Sequence, residues 1–347
     1  MDVFSAVVEG SRPHLREAAL HASDALGLAE LLSAGSRSLM EIVRALRLPG
    51  SHRLHALLDV LALEGAVDVS AAPDGAPRFS ARAPLLAPRG NSLPKAGWGR
   101  LAEVIRTGVP LDEEGVRGAR ATGSDALARF HAHLCSAGAE AARELIGPLA
   151  RAEGGLLLDW GSGAGAYSRA WLEADSAASA CLVDRPDVLA LARDALGPLS
   201  SRAELRAADL LHSDDPAGAD AVRARPRVVL LANLLHLFGP DDAKAIVRRA
   251  AGALAPGGRV VIKDLLLEPD RRGPASGVLF SLNMALFTER GRVHPRDALE
   301  RFLLEAGLRE VEARSLRAAP DAIVLEGRAR SVGSQSMEPQ ASREPGP

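Results

Sequence analysis

Cysteine is almost absent. Cys135 and Cys181 are the two in 347 residues, far apart and outside any CxxC pair, which excludes a disulfide framework and a cysteine-based zinc site and leaves buried free thiols as the expectation. Aromatic residues are as sparse, 3% of the chain with a single tyrosine, so an aliphatic ligand pocket is expected rather than a stacked aromatic one. No apolar run reaches the roughly eighteen residues of a membrane span. Residues 1–30 carry acids and histidines where a secretory leader needs a basic start and an apolar centre. An excess of either charge is also missing: 42 Lys and Arg face 44 Asp and Glu, for a formal net charge of −2, so nucleic acid is not a favoured partner. The expectation is a soluble, cytoplasmic protein without a membrane partner.

Apolar bulk is plentiful, at 47% of residues, and the chain is long enough for two cores. From Leu15 to about Val69 the pattern reads as three short helices, "LREAALHASDALGLAELLSAG", "SLMEIVRALRLPG" and "SHRLHALLDVLALEGAV". Ser38 and Glu41 have the spacing of a capping box, Gly50 is a stop signal, and Ser51 caps the third helix. The stretch "AVDVSAAPDGAPRFSARAPLLAP" then alternates apolar and polar residues on both sides of Asp74-Gly75, as a β-hairpin does. Helices followed by such a hairpin suggest a winged helix, and winged helices suggest DNA. The helix that would enter a groove, 51–65, spends Leu54, Leu57, Leu58, Leu61 and Leu63 on apolar contact and offers only Arg53 and two histidines at its start. Phosphate contacts need a basic face, so packing or a dimer arm is the better use, and residues 1–95 are expected to form a winged-helix dimerisation domain.

Residues 96–150 read as a helical connector ending in "SDALARFHAHLCSAGAEAARELIGPLA". From 151 to 330 the strand-like runs "LLLD", "ACLVD", "AELRAAD", "VVLLA", "RVVIKD", "REVEARSL" and "AIVLEG" alternate with helical ones. That alternation marks an α/β domain with a doubly wound, mostly parallel seven-stranded sheet of Rossmann-like type. Residues 331–347, polar and rich in Ser, Pro and Gly, are expected to be a disordered tail.

The first strand runs into "LLLDWGSGAGAYSRA". Glycine-rich turns after a strand serve several nucleotide-binding folds, so spacing has to discriminate. Here Gly161, Gly163 and Gly165 alternate as GxGxG, with Asp159 two residues ahead. A carboxylate in that place repels a pyrophosphate and suits a cationic, phosphate-free ligand such as S-adenosylmethionine. Asp184, 25 residues after Asp159, stands where an acid accepts from both ribose hydroxyls. Asp209, in "AADLL", stands where a carboxylate accepts from an adenine amino group, with Leu210 beside it as an apolar lid. Single acids at strand ends often only cap the next helix; three at successive tips of one crevice, beside GxGxG, point to a ligand.

On these motifs, together with "LLANLLHLFGPDDAKAIVRRAAGALAPGGRVVIKD" and "LFSLNMALFTERGR", residues 13–328 resemble the class I S-adenosylmethionine-dependent methyltransferases. The nearest group among them is the small-molecule O-methyltransferases with an N-terminal winged-helix dimerisation domain. The resemblance implies S-adenosyl-L-methionine as cofactor, a homodimer, and a small, largely apolar hydroxylated acceptor of secondary metabolism. It makes His236, after "VVLLA", the general base and Asp264, ending "VVIKD", the acid that holds it. Asn233 and Phe130 fall among the cofactor contacts, with Leu134 near the methionine end. The chemical need is plain: a phenol with a pKa near ~10 is protonated at neutral pH, and a histidine near ~6.5 can take its proton.

The sequence departs from the plant members of that group. Where those carry a further acid, Val293 stands here with His294 alongside, which leaves transfer to carbon or nitrogen, or a non-methylating reaction, as alternatives. Phe280, Asn283, Met284 and Phe287 share one helical face and are either core or acceptor pocket, with Asn283 favouring the pocket. His131 and His133 would need an extended segment to share a metal, since i and i+2 lie about 200° apart on a helix, so no metal site is expected. A winged-helix regulator that senses the same cofactor is the reading from another class, and the weakly basic helix 51–65 argues against it.

Overall fold

The structure is a computed structural model and describes residues 3–82, 97–111, 124–213 and 226–331, with backbone alone for 3–11, 124–131, 133 and 137. The expected tail, 332–347, lies outside the described residues.

The N-terminal unit holds α1 (Val3–Leu26), α2 (Leu28–Ser33), α3 (Leu39–Ala45) and α4 (His52–Leu63), with strands β1 (Arg37–Ser38), β2 (Val67–Ala71) and β3 (Pro77–Ala81). Its sheet has the order β1-β3-β2, and the expected hairpin turns at Asp74-Gly75, where the Ala76 amide donates to Asp74 Oδ1 at 3.0 Å. Two expectations need correction. The run 15–35 is two helices, because the chain turns left-handed at Gly27 with φ 72°, and the first of them starts much earlier, at Val3. The second expected helix stops at Ala45, well before Gly50. The capping box is present: Glu41 N donates to Ser38 Oγ and Ser38 N to Glu41 Oε2. Ser51 stands ahead of α4 but makes no side-chain capping bond.

The rest comprises α5 (Leu101–Thr107), α6 (Ser124–Glu153), β4 (Leu156–Trp160), α7 (Ala166–Ala174), β5 (Ser179–Asp184), α8 (Pro186–Leu196), β6 (Ala203–Ala207), β7 (Val228–Ala232), α9 (Pro240–Ala253), β8 (Arg259–Leu265), α10 (Ala275–Phe287), α11 (Arg296–Glu305), β9 (Arg309–Arg314) and β10 (Ala322–Arg328). One seven-stranded sheet has the order β6-β5-β4-β7-β8-β10-β9. Its first five strands pair in parallel, and β10 is antiparallel to both neighbours. Because central strands are covered on both faces, they read as unbroken apolar runs. Leu157 and Leu230 enter the layer beneath α6–α8, whereas Leu158, Val229 and Leu231 enter the layer beneath α9 and α11. Cys181 is buried in β5 and Cys135 half-buried on α6, both free.

Chain order reverses between β4 and β7, so the loops that follow those two strands border the crevice where such sheets bind ligands. Helix α10 closes it from the side of the N-terminal unit, because its Val278, Leu279, Leu282 and Leu286 share one core with Leu54, Leu57, Leu58 and Leu61 of α4. Helix α4, expected as a dimer arm, packs within its own chain, and Arg53 is 3% exposed with Nη2 donating 3.0 Å to the Thr288 carbonyl.

Candidate active site

After β4 the backbone turns through Gly161, Gly163 and Gly165, all with positive φ (68°, 55° and 80°). At Gly161 a Cβ would lie 2.6 Å from Leu234 Cδ1, so a side chain there would also have to displace that leucine. The loop thus brings bare backbone to the crevice and against the residues that follow β7. The Gly163 amide donates 2.8 Å to Asp184 Oδ2, and the Arg185 amide donates 2.8 Å to Asp184 Oδ1. This fixes a partly exposed carboxylate at the tip of β5, beside the glycine loop.

The other two strand-tip acids are placed differently from the expectation. Asp159 is 1% exposed and accepts 2.6 Å from the Ser168 hydroxyl of α7, so its carboxyl turns into the protein and not toward the crevice. Burial pushes its pKa up to about 7, against the Ser168 hydrogen bond, and Asp184 pushes in the same direction as burial. Asp209 is exposed and accepts from the Leu211 and His212 amides at 2.8 and 3.1 Å. The His212 ring at 3.0 Å is the main cause that lowers its pKa, followed by the Leu211 amide. Asp209 thus closes its own turn, and Leu210 is 8% exposed in the core beneath α9. The Phe130 side chain lies outside the described residues.

Following β7, Asn233 takes a left-handed conformation, φ 52°, and the chain makes one short turn over Leu235–Leu237. This brings His236 back onto the end of β8. Asp264 Oδ1 receives the His236 ring at Nδ1 across 2.7 Å and the Leu265 amide at 2.8 Å, while Oδ2 receives the His236 amide at 3.2 Å. Burial opposes the charge on Asp264, but His236, these hydrogen bonds and Lys263 together hold the carboxyl below its ordinary range. An ionised carboxylate only accepts, so Nδ1 carries the imidazole proton and Nε2 is the basic nitrogen. The His236 ring stands edge-on to Phe280 with centroids 5.1 Å apart.

Phe280 and Met284 are each 6% exposed, Asn283 is half-buried, and Phe287 packs edge-on to Trp98 at 5.7 Å. The stripe therefore divides: Phe280 meets the His236 ring, while Phe287 joins the connector to the shared core. Val293, where the further acid would stand, is 1% exposed in that core. His294 is buried, its Nε2 lies 3.1 Å from the Leu235 carbonyl, and burial lowers its pKa to about 4.

Sequence reasoning missed Lys263. It is 1% exposed, and its Nζ donates 2.8 Å to Asn233 Oδ1. A lysine inside the apolar run "RVVIKD" was the available signal. Among the described residues no group of His, Cys, Asp and Glu could hold a metal ion.

Residues 118–309 match the family described as O-methyltransferase domain. The chain is similar to the tetracenomycin polyketide synthesis 8-O-methyl transferase of Streptomyces glaucescens, 28% identical over 66% of this chain and 66% of that enzyme. It is also similar to the 3-hydroxy-5-methyl-1-naphthoate 3-O-methyltransferase of Streptomyces sahachiroi, 31% identical over 62% and 61%. Both matches span slightly less than two thirds of the relative's own length. A solved structure of an O-methyltransferase family 2 protein from Planctomyces limnophilus, in complex with apigenin, has a TM-score of 0.71 at 21% identity and covers 94% of this chain and 96% of that one. That likeness is one of fold.

Proposed function

Because the chain belongs to the O-methyltransferase family, we propose that it transfers a methyl group from S-adenosylmethionine to a hydroxyl of a small, largely apolar, aromatic or polyketide-like molecule. The observation that carries this reading is the buried His236–Asp264 pair at the switch point of the sheet. The glycine loop, with positive φ at Gly161, Gly163 and Gly165, and the Asp184 carboxylate fixed by Gly163 N–H fit a cofactor with a ribose diol. That cofactor, when bound, supplies an electrophilic methyl on a sulfonium.

His236 Nε2 would take the acceptor's hydroxyl proton, leaving the oxygen as nucleophile for the methyl group that the cofactor would supply. Asp264 stabilises the imidazolium that results, as an ionised partner on Nδ1 does. Phe280 holds the ring edge-on, and the buried surroundings exclude water from the proton transfer. Both curated relatives carry names of hydroxyl methylation on fused aromatic or polyketide products, which supports a phenolic acceptor.

Transfer to carbon or nitrogen is the rival reading, and the observation behind it is Val293 in place of a third acid. One experiment tests both. The protein is incubated with S-adenosylmethionine and a panel of phenolic polyketides and hydroxynaphthoates, products are found by mass shift, and fragmentation identifies the methylated atom. His236→Ala should abolish turnover while S-adenosylhomocysteine still binds; turnover equal to the parent's would remove His236 from the role.

A homodimer through the N-terminal unit belongs to the same proposal, tested by light scattering in solution. So does a partner set without nucleic acid, supported by the burial of Arg53 at the Thr288 carbonyl and tested by salt-dependent gel shift. No helix among the described residues is long and apolar enough to cross a membrane.

A further inference from the structure

The dipeptide Lys263-Asp264 grips both ends of the catalytic turn. At one end the Lys263 carbonyl accepts from the Asn233 amide at 2.6 Å, and Lys263 Nζ donates to Asn233 Oδ1 at 2.8 Å. At the other end Asp264 receives both the amide and the ring of His236. Neighbouring residues on a strand point to opposite faces, so β8 holds Asn233 from one side and His236 from the other. The turn between them contains no further regular structure than a single three-residue helical turn.

A lysine almost never lies fully buried without a reason, because an ammonium loses several kcal/mol of hydration in order-of-magnitude terms. Packing alone does not require a cation here: the flanking β8 residues Val260, Val261, Ile262 and Leu265 are all aliphatic and buried. The bond from Nζ to Asn233 Oδ1 does use what lysine supplies, a long stem and a charged donor; the other, at the Lys263 carbonyl, is backbone to backbone. They hold Asn233 in the left-handed conformation from which the chain re-enters toward His236, a conformation asparagine tolerates better than most residues. The same ammonium lies near the Asp264 carboxylate and favours its charged form.

We propose that Lys263 is a positioning residue for His236. It acts through Asn233 on the geometry of the turn and through Asp264 on the tautomer of the ring, and it makes one unit of the segment from the cofactor crevice to the base. This rests on the reading of His236 as the base, but its test does not use turnover.

The test is imidazole nitrogen and proton NMR of His236 in the cofactor-free protein, with the signal assigned by its loss in His236→Ala. Among the described residues, Asp264 contacts that ring, Lys263 acts on Asp264 from the same strand, and His294, ahead of α11, interacts with His236, Asp264 and Arg292. In the parent, the Nδ1–H tautomer is fixed and its proton is protected. Lys263→Met should leave the fold intact by circular dichroism and broaden the Nδ1 proton by exchange. Lys263→Arg should restore its protection. Asn233→Ala, which keeps the cation and removes the tether, should broaden the proton as well, and it carries the test if Lys263→Met does not fold. An unchanged His236 signal in Lys263→Met, or in Asn233→Ala if that variant must stand alone, overturns the proposal. Failure of His236→Ala to lose turnover would overturn the assignment of the base while leaving these spectra as they are.

Discussion

Gly291 lies against the carbonyl of His236: a Cβ built on Gly291 would stand 2.7 Å from that oxygen and 3.0 Å from the carbonyl of Leu237. Both contacts are backbone, so neither can swing aside. The next residue is tied to the same place, since the Arg292 amide donates 2.8 Å to the His236 carbonyl. The loop after α10 is thus the outer wall of the turn that carries His236, and the space it leaves fits glycine alone.

Gly291→Ala should therefore displace the turn without touching any reacting group. Overpacking of this kind costs about 1–3 kcal/mol of stability, and a misplacement of about 1 Å at a catalytic group costs on the order of 10²-fold in rate. Turnover should fall steeply while S-adenosylhomocysteine affinity holds, read by calorimetry on the folded variant. Parental turnover would mean that the loop does not set the position of His236.

Asp264→Asn probes the tautomer. An amide in place of the carboxylate can donate to Nδ1, which moves the imidazole proton to Nε2 and removes the basic nitrogen from the acceptor. The loss expected is the ~10²–10⁴-fold that a positioned general base supplies. A rise of the remaining activity with pH would show unassisted attack by the ionised acceptor. Activity close to the parent's would mean that Asp264 serves the fold only.

Asp159 makes stability depend on pH in an unusual direction for a carboxylate. Its folded value of about 7 lies above the ordinary 3.8, so the folded state binds its proton more tightly than the unfolded state. Its contribution is complete below the unfolded value and is lost as pH rises through about 7, at up to about 1.4 kcal/mol per pH unit. Asp159→Asn keeps an acceptor for the Ser168 hydroxyl and removes the charge. Relative to the parent it should gain stability between pH 5 and pH 8, as read by urea denaturation. A constant difference across that range would show that the carboxyl does not titrate there.

His294 supplies the opposite slope. Burial holds its folded value at about 4, below the ordinary 6.5, so its contribution is present in full above pH 6.5 and is lost as pH falls through 4. His294→Asn, which can still donate to the Leu235 carbonyl, should gain on the parent as pH drops from 7 to 4. The two variants together separate slopes that would partly cancel in the parent's own profile.

The parts legible in the sequence were those in which a local pattern carries its own geometry. The strand runs of the sheet are apolar because both faces are covered, and Ser38 with Glu41 is a motif that closes on itself. His236 and Asp264 were legible as a pair through the resemblance to the O-methyltransferases, which implies a role for each. What could not be read was where a side chain turns once its backbone is in place. Asp159, Asp184 and Asp209 look alike in sequence, yet only Asp184 sits partly exposed beside the loop; Asp159 bends back to Ser168, nine residues on, and Asp209 closes its own turn. The role of α10 was also hidden, because its apolar surface serves two partners at once and no periodicity distinguishes a core shared with another unit. Lys263 was visible as an anomaly in an apolar strand, but its partner is 30 residues away, beyond any local rule.

Asp184→Asn is the sharpest test of what the glycine loop holds. The carboxylate already accepts the Gly163 and Arg185 amides, so it is oriented before any ligand arrives, and an oriented acceptor spends little entropy on binding. The amide can accept at one atom only, so the variant must surrender one amide contact or turn its NH₂ toward a donor. Removal of a hydrogen bond to a charged group costs about 1.5–3 kcal/mol, which is a loss of about 10- to 100-fold in affinity for S-adenosylhomocysteine. If the diol is the partner, 2′-deoxyadenosine analogues of the cofactor should lose affinity with the parent and lose little further with the variant. Calorimetry on the four combinations gives the coupling directly. Independent losses would place the diol elsewhere and leave Asp184 as a clasp for the loop alone.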